Sequence, residues 1–355
     1  MKEIKIMALV VEKFNAIVQN QFKTLTSSIQ RPFATGPNAS GKSTKLSAIT
    51  YLFNNTKTMK GVRNAKDPKT ELFALFDVFV NGTKNEFTIS YQNGGWQSIH
   101  NNGPVGALKP SEYKKFMNLI YNDFWEFWEL LSIPDYFTTL AGSEQRTTFI
   151  NFMLKANVAK FIAPELFNVL TDGKTPDEMK KELRVQKREF LDNMNSTWLF
   201  DLRDRLDNTQ ELQDAVDLVV NKYIKEYSEG SVEIMELDKK LTAIANLENA
   251  IVRAFIALVK NKFAGSDFTI ELVDGRDGND SMVIKTISDG VEYKNLNTTK
   301  QLEIALQFAL MFQELADVKT FLLIDNFERV DANNSDKIEK MLLGHQVLVA
   351  KVTNE

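Results

Sequence analysis

Gly36-Pro37-Asn38-Ala39-Ser40-Gly41-Lys42-Ser43-Thr44 is the stretch whose reading decides the fold of this chain. It matches the Walker A pattern GxxxxGK[ST] and separates a short run ending Phe33-Ala34-Thr35 from a helix-like stretch through Leu46 and Ile49. A loop of this kind, leading from strand into helix, aims successive backbone N–H groups at phosphate oxygens, where the helix dipole favours negative charge. In that geometry Lys42 reaches the β- and γ-phosphates and Ser43 holds Mg²⁺. ATP and Mg²⁺ are therefore the expected ligands; a Gly-rich turn without a ligand is the alternative.

Composition narrows the class. With 355 residues, 43% hydrophobic and 25% charged, the chain has the make-up of a globular protein with a sizeable core, in one large domain or two of ordinary size. The absence of cysteine removes disulfides and thiolate chemistry and suits a reducing cytosol. Lys plus Arg total 43 against 47 for Asp plus Glu, a net charge of −4, which excludes a wholly basic nucleic-acid coat but leaves local basic strips possible. The apolar run Met7 to Val11 is cut by Glu12 and Lys13, too short for a secretory signal. Nor does any stretch approach about eighteen uninterrupted apolar residues. No membrane role is expected, and the expected location is cytoplasmic.

Three zones follow one another. The first begins with Ile4-Lys5-Ile6 and Leu9-Val10-Val11, and continues after the loop with Leu72 to Val80, an Asn81-Gly82 turn and Phe87-Thr88-Ile89-Ser90-Tyr91. Asn-Gly between two such runs predicts a β-hairpin. Phe124, Trp125, Phe127 and Trp128 could form a base-stacking platform, but aromatics at this density on a helix more commonly fill a core. The second zone is helical and charged. Leu237, Leu241, Ile244, Leu247, Ile251, Phe255 and Leu258 step by three or four and line one helix face. A strict heptad would place Glu248 in the seam. Met179, Leu183, Phe190 and Met194 answer more roughly, beside Lys180, Lys181, Arg184, Lys187 and Arg188. Together they predict an antiparallel helical hairpin with an irregular tip between Asn195 and Asn208, or else an ordinary helical subdomain. The basic strip is either a solvated face or a DNA track.

The third zone returns to strands, Phe268 to Leu272 and Met282 to Lys285, then a helix from Leu302 to Phe312, then Phe321-Leu322-Leu323-Ile324-Asp325. Apolar residues ending in an acid form a Walker B strand, whose Asp325 orders the Mg²⁺ shell at the end of a buried parallel strand. Gln346 to Val352 is a further candidate buried strand.

These segments carry a resemblance. "IKIMALVVEKFNAI" followed by "GPNASGKSTKLSAITYLF" resembles the SMC/RecF/SbcC branch of ABC-type ATPases, with Ala39 where that family usually has Gly. "IPDYFTTLAGSEQRTTFINFML", "DGVEYKNLNTTKQLEIALQF" and "FLLIDNFERVD" resemble the corresponding regions of the short phage-encoded members. The resemblance implies an α/β fold: a split P-loop ABC-type ATPase head formed by both chain ends, with an inserted antiparallel, coiled-coil-like hairpin. The implied organisation is 1–172 for the Walker A half, 173–262 for the hairpin and 263–355 for the signature and Walker B half. It further implies ATP sandwiched between two heads of a homodimer, with Asn297, Thr298, Thr299 and Lys300 of one subunit closing on the γ-phosphate held by the other. Those residues sit at an expected helix N-terminus, where an anion or a plain N-cap could equally be served. DNA, and a nuclease or a replication or recombination protein, are the implied partners, in a bacterial or phage-infected cell. Arg63 stands near where such heads carry a nucleotide- or DNA-reaching arginine; a surface role is the alternative.

The chain also departs from that pattern. Asn326 follows the Walker B Asp where such sites usually carry Glu, and an amide can orient water but not take its proton. Glu328 is the first substitute, Asp331 the second. Neither His100 nor His345 occupies the expected switch position, near which Thr353 stands, and no Ser-Gly-Gly core appears in the signature. The expectation is an ATPase of low turnover in DNA recombination, repair or replication, or alternatively a nucleotide-gated regulatory or clamp module. A small-molecule kinase and a transporter ATPase fit the layout less well.

Overall fold

A computed structural model of the chain describes residues 1–14, 17–22, 34–36, 42–53, 71–80, 83–92, 95–100, 106–107, 110–156, 174–203, 211–273, 281–325, 327–330 and 332–352. The elements in chain order are β1 (Lys2–Phe14), β2 (Ile17–Phe22), β3 (Ala34–Gly36), α1 (Lys42–Phe53), β4 (Glu71–Val80), β5 (Thr83–Gln92), β6 (Gly95–His100), β7 (Gly106–Ala107), α2 (Pro110–Ile120), α3 (Trp128–Ser132), α4 (Tyr136–Thr139), α5 (Gly142–Lys155), α6 (Pro176–Arg203), α7 (Glu211–Lys262), β8 (Thr269–Val273), β9 (Ser281–Lys285), α8 (Thr298–Leu315), β10 (Val318–Lys319), β11 (Leu322–Ile324), α9 (Ala332–Met341) and β12 (Val347–Val352). The chain divides into two compact units: Met1–Gln145 with Ser266–Glu355, and Arg146–Gly265.

Both chain ends thus build the first unit, a mixed α/β structure. Its larger sheet runs β10-β1-β4-β5-β6-β7 with β2 also on β1; β10 and β1 are parallel and the other neighbours antiparallel. The expected hairpin is β4–β5, closed by the Val80↔Thr83 pair, while Asn81 and Gly82 lie outside the described residues. A register shift interrupts β1 between Ile6 and Ala8. There the side-chain amide of Gln346 replaces a strand: its Oε1 accepts from Ile6 N at 2.7 Å and its Nε2 donates to Ile6 O at 2.6 Å. Both backbone groups of Ile6 are thereby satisfied, as buried main chain requires.

The second sheet is the parallel set β11-β12-β3. Leu322, Leu323 and Ile324 are all buried, so this strand reads as a continuous apolar run. Leu306, Ala309, Phe327, Ile338, Leu342, Val347 and Val349 complete a core joining β11 and β12 to α8 and α9. A second cluster centres on Phe53, whose ring lies 5.1 Å from Phe321, 5.9 Å from Trp128 and 6.2 Å from Tyr121. Trp125 Nε1 donates to Phe53 O at 2.8 Å. Phe124, Trp125 and Trp128 are core, not an exposed stacking platform. Below them Gln313 Nε2 donates to Leu131 O at 2.7 Å, and its Oε1 accepts from Thr320 N at 3.2 Å.

In the Arg146–Gly265 unit, α6 and α7 are joined through residues 204–210, which lie outside the described residues. Salt bridges Lys180–Glu248 and Lys187–Asp238 make the two helices antiparallel, since rising numbers on α6 meet falling ones on α7. The first helix continues to Arg203, so within the interval Asn195 to Asn208 expected for the tip, only 204–208 stay outside the helix, and these lie outside the described residues. Asn-Ser-Thr in a helix interior costs only a few tenths of a kcal/mol per residue, about 0.7 at most, and no Gly or Pro accompanies it. Of the apolar stripe, Ile244, Leu247, Ile251 and Phe255 are buried, with Phe149 stacked on Phe255 at 3.5 Å between ring centroids. Val252 and Val259 are buried as well, so the stripe is broader than the one read from the sequence. No uninterrupted apolar run of about eighteen residues exists, but the helical segment Val232–Lys262 is long and apolar enough by length and composition to cross a membrane. Of its apolar residues, Ile244, Leu247, Ile251, Val252, Phe255 and Val259 are buried within the unit, whereas Val232 and Met235 are exposed.

Candidate functional site

The site grows from the junction of β3 and α1. Gly36 ends β3 and Lys42 begins α1; Pro37, Asn38, Ala39, Ser40 and Gly41 lie outside the described residues. The helix buries Leu46, Ile49 and Phe53 on one face. Ser43, Ser47 and Thr50, spaced by four and three, lie on another. Ser47 Oγ donates to Ser43 O at 2.9 Å and Thr50 Oγ1 to Leu46 O at 3.3 Å, which satisfies both hydroxyls inside the helix. Lys42 is 8% exposed at the first residue of the helix. One turn on, burial and then the charge of Lys42 hold Lys45 below the ordinary lysine range.

Ser43, Ser47 and Thr50 line a cavity of about 840 Å³ within the first unit. Asp325, exposed just past the end of β11, lines it too. Residues distant in sequence thus bring a hydroxyl and a carboxylate to one space: hard oxygen donors of the type that Mg²⁺ accepts, with a buried lysine at the start of the same helix. Among the described residues no cluster of three or more His, Cys, Asp or Glu suggests a self-sufficient metal cage.

The opposite wall comes from residues 133–145, β9 and the start of α8. Gly142 allows this wall to close: a Cβ there would lie 3.0 Å from Met282 O and 3.1 Å from Ser281 Cβ. Tyr293 ties the wall together. Thr138 Oγ1 donates to Tyr293 Oη at 2.9 Å, Tyr293 Oη donates to Gln301 O at 3.3 Å, and Gln301 Nε2 returns a bond to Tyr293 O at 3.0 Å. Burial, with a smaller contribution from the charge of Asp135, pushes the Tyr293 hydroxyl up to about 12. Gln145, Asp135 and Tyr293 line the cavity although sequence reading assigned none of them a role. Nothing in the local sequence pattern around Asp135 marks it.

The remaining site candidates are dispersed. Asn297 caps α8, its side chain accepting from Lys300 N at 2.9 Å. Thr298 lines the cavity of its own chain, Thr299 is buried, and Lys300 Nζ lies 3.8 Å from Glu303. Glu328 is half-buried in the turn Phe327–Arg329 and does not line the cavity. Asn326, Asp331, Arg63 and Thr353 lie outside the described residues. His345 is half-buried before β12; burial and then Lys319 hold its imidazole below the usual range, with Glu3 opposing.

In the other unit, the basic strip divides. Lys180 Nζ lies 2.5 Å from Glu248, and Lys187 Nζ lies 2.7 Å from Asp238, so both bind α6 to α7. Lys181, Arg184 and Arg188 are exposed. Arg146 joins Glu248 at 3.4 Å and Asn249 at 2.9 Å.

No protein-family model matches the chain, and no curated protein matches it. Among solved structures it is similar to the SMC head domain from Thermotoga maritima, with 10% identity and a TM-score of 0.36 over 99% of this chain and 89% of that one.

Proposed function

We propose that the chain binds ATP with Mg²⁺ and hydrolyses it slowly, as an SMC-like ATPase whose heads pair around the nucleotide and act on DNA. The observation that carries the nucleotide part is the meeting of Ser43 and Asp325 on one cavity, with Lys42 buried at the start of the same helix and the GxxxxGK[ST] loop between that helix and β3. In this reading residues 1–172 and 263–355 form the head, 173–262 the hairpin. Gly36 to Thr44 cradle the phosphates, Ser43 and Asp325 hold the metal, and Asn297, Thr298, Thr299 and Lys300 act on a second copy's nucleotide. DNA follows from sequence resemblance, with Lys181, Arg184 and Arg188 as the exposed contacts, and recombination, repair or replication in a bacterial or phage-infected cytoplasm as the setting. A nuclease or other DNA-processing protein would supply any cleavage.

The test is solution mass by light scattering with and without Mg·ATP, with phosphate release followed in the same samples with and without DNA. The expected result is ATP-dependent dimerisation and DNA-stimulated release, both lost in Lys42→Ala together with ATP affinity. Unchanged ATP affinity in Lys42→Ala would sink the phosphate-loop assignment. Asn326 favours a second reading, a nucleotide-gated clamp that closes without turnover. Dimerisation with no phosphate release would select it.

A further inference from the structure

The sequence leaves the usual base position unfilled. Asn326 holds the place next to the Walker B Asp, and an amide cannot take a proton. Glu328, the first substitute suggested by the sequence, is absent from the cavity wall. The wall nonetheless contains a carboxylate far away in sequence, Asp135.

Asp135 has an unusual position for its residue type. It is the N-cap of α4, where an aspartate would normally accept from a backbone N–H one turn ahead, yet its side chain makes no capping bond. Its main-chain carbonyl does the local work, accepting from Thr139 N at 3.0 Å and from Thr139 Oγ1 at 2.9 Å. Among the described residues the carboxylate forms no salt bridge, and it retains solvent access on the cavity surface. It also lies close enough to Asp325 to interact with it electrostatically. The short helix is held from behind by Phe137, whose ring packs 5.2 Å from both Phe308 and Phe312.

Given the nucleotide reading above, we propose that Asp135 is the general base for ATP hydrolysis in this cavity. The water oxygen forms a bond to the γ-phosphorus while the bond from that phosphorus to the β–γ bridging oxygen breaks, and its electron pair leaves with ADP. The water proton passes to the Asp135 carboxylate, which returns it to solvent at the cavity mouth. No further reactant is needed.

The experiment compares the full-length chain with Asp135→Asn, Asp135→Glu and Glu328→Gln, measuring kcat for phosphate release and, separately, affinity for a fluorescent ATP analogue with Mg²⁺. Asp135→Asn should lower kcat about 100-fold, the scale of a lost general base. Affinity should stay within about twofold, because the group acts in the transition state and not in the bound ground state. Asp135→Glu should restore part of the rate, and Glu328→Gln should lower it less than Asp135→Asn does. Wild-type kcat in Asp135→Asn, a fall in kcat confined to Glu328→Gln, or a loss of nucleotide affinity in Asp135→Asn would each overturn the assignment. So would wild-type protein that binds ATP without releasing phosphate. Failure of the nucleotide reading itself is distinguishable, because the wild-type chain would then show no affinity for the analogue.

Discussion

The two compact units bury polarity in different currencies. In the unit built from both chain ends, the deepest polar side chains form a neutral group: Gln313, Thr320, Ser132 and the Tyr121 hydroxyl, all within 2% exposure. In Arg146–Gly265 the one buried polar side chain among the described residues is Glu248, an ion at 3% exposure between Lys180 and Arg146. A neutral network satisfies itself by hydrogen bonds alone. An ionic one must neutralise every member, since each charge removed from water costs several kcal/mol unless paired. The helical unit should therefore be the more fragile to deletion of a single polar side chain, even though its core is the more plainly apolar.

The largest effect is expected at Glu248. Glu248→Ala leaves Lys180 and Arg146 half-buried without their carboxylate, with Asn249 still bonded to Arg146, whose Nε already has no hydrogen-bond partner among the described residues. Removing one member of a buried ion group should cost about 3–5 kcal/mol, whereas replacing all three residues with apolar ones of similar volume should come close to neutral. Denaturant unfolding followed by helical circular dichroism reads both. A single-variant loss below about 1 kcal/mol, typical of exposed pairs, would break the contrast.

Gln313 is the matching probe in the other unit. Gln313→Leu removes the donors to Leu131 O and Thr320 O and leaves Thr320 N without its acceptor. The cost should be about 1–3 kcal/mol, the desolvation of backbone groups left unmade. The same unfolding assay measures it, and a loss larger than that of Glu248→Ala would reverse the ranking.

This contrast also marks where the sequence was legible. The junction of β3 with α1 and the buried strand β11 are readable because the GxxxxGK[ST] pattern and an apolar run ending in Asp325 restrict residue types at fixed spacing; their role in holding phosphate and metal belongs to the proposed function. The hairpin β4–β5 is readable because Asn-Gly has few other uses. Helical periodicity reveals the α7 stripe, but it reports only which positions face inward, not which partner arrives there. So Lys180 and Lys187 looked like part of a surface strip until α7 placed Glu248 and Asp238 opposite them. Asp135 was invisible for a related reason. Its position on the cavity depends on residues 133–145 meeting α1 and β11, and no local pattern encodes a meeting.

The smallest effect is expected where the hairpin begins, and it sharpens the comparison because the charge involved is exposed. Thr175 and Glu178 form a capping box before Pro176 at the first helical position: Glu178 Oε2 accepts from Thr175 N at 2.9 Å and from its hydroxyl at 3.0 Å, while Glu178 N donates to Thr175 Oγ1 at 3.4 Å. The backbone N–H of Thr175, then its hydroxyl, holds the Glu178 carboxyl below its usual value. A depressed carboxyl stabilises the fold above its unfolded pKa, and that contribution disappears as pH falls through the folded one. Thr175→Ala should cost about 1 kcal/mol, as for other lost N-caps, and should flatten the acid limb of the stability curve. Glu178→Gln should flatten that limb while keeping the Thr175 cap. If acidification weakened the hairpin equally in all three proteins, the exposed cap would contribute nothing to its pH response.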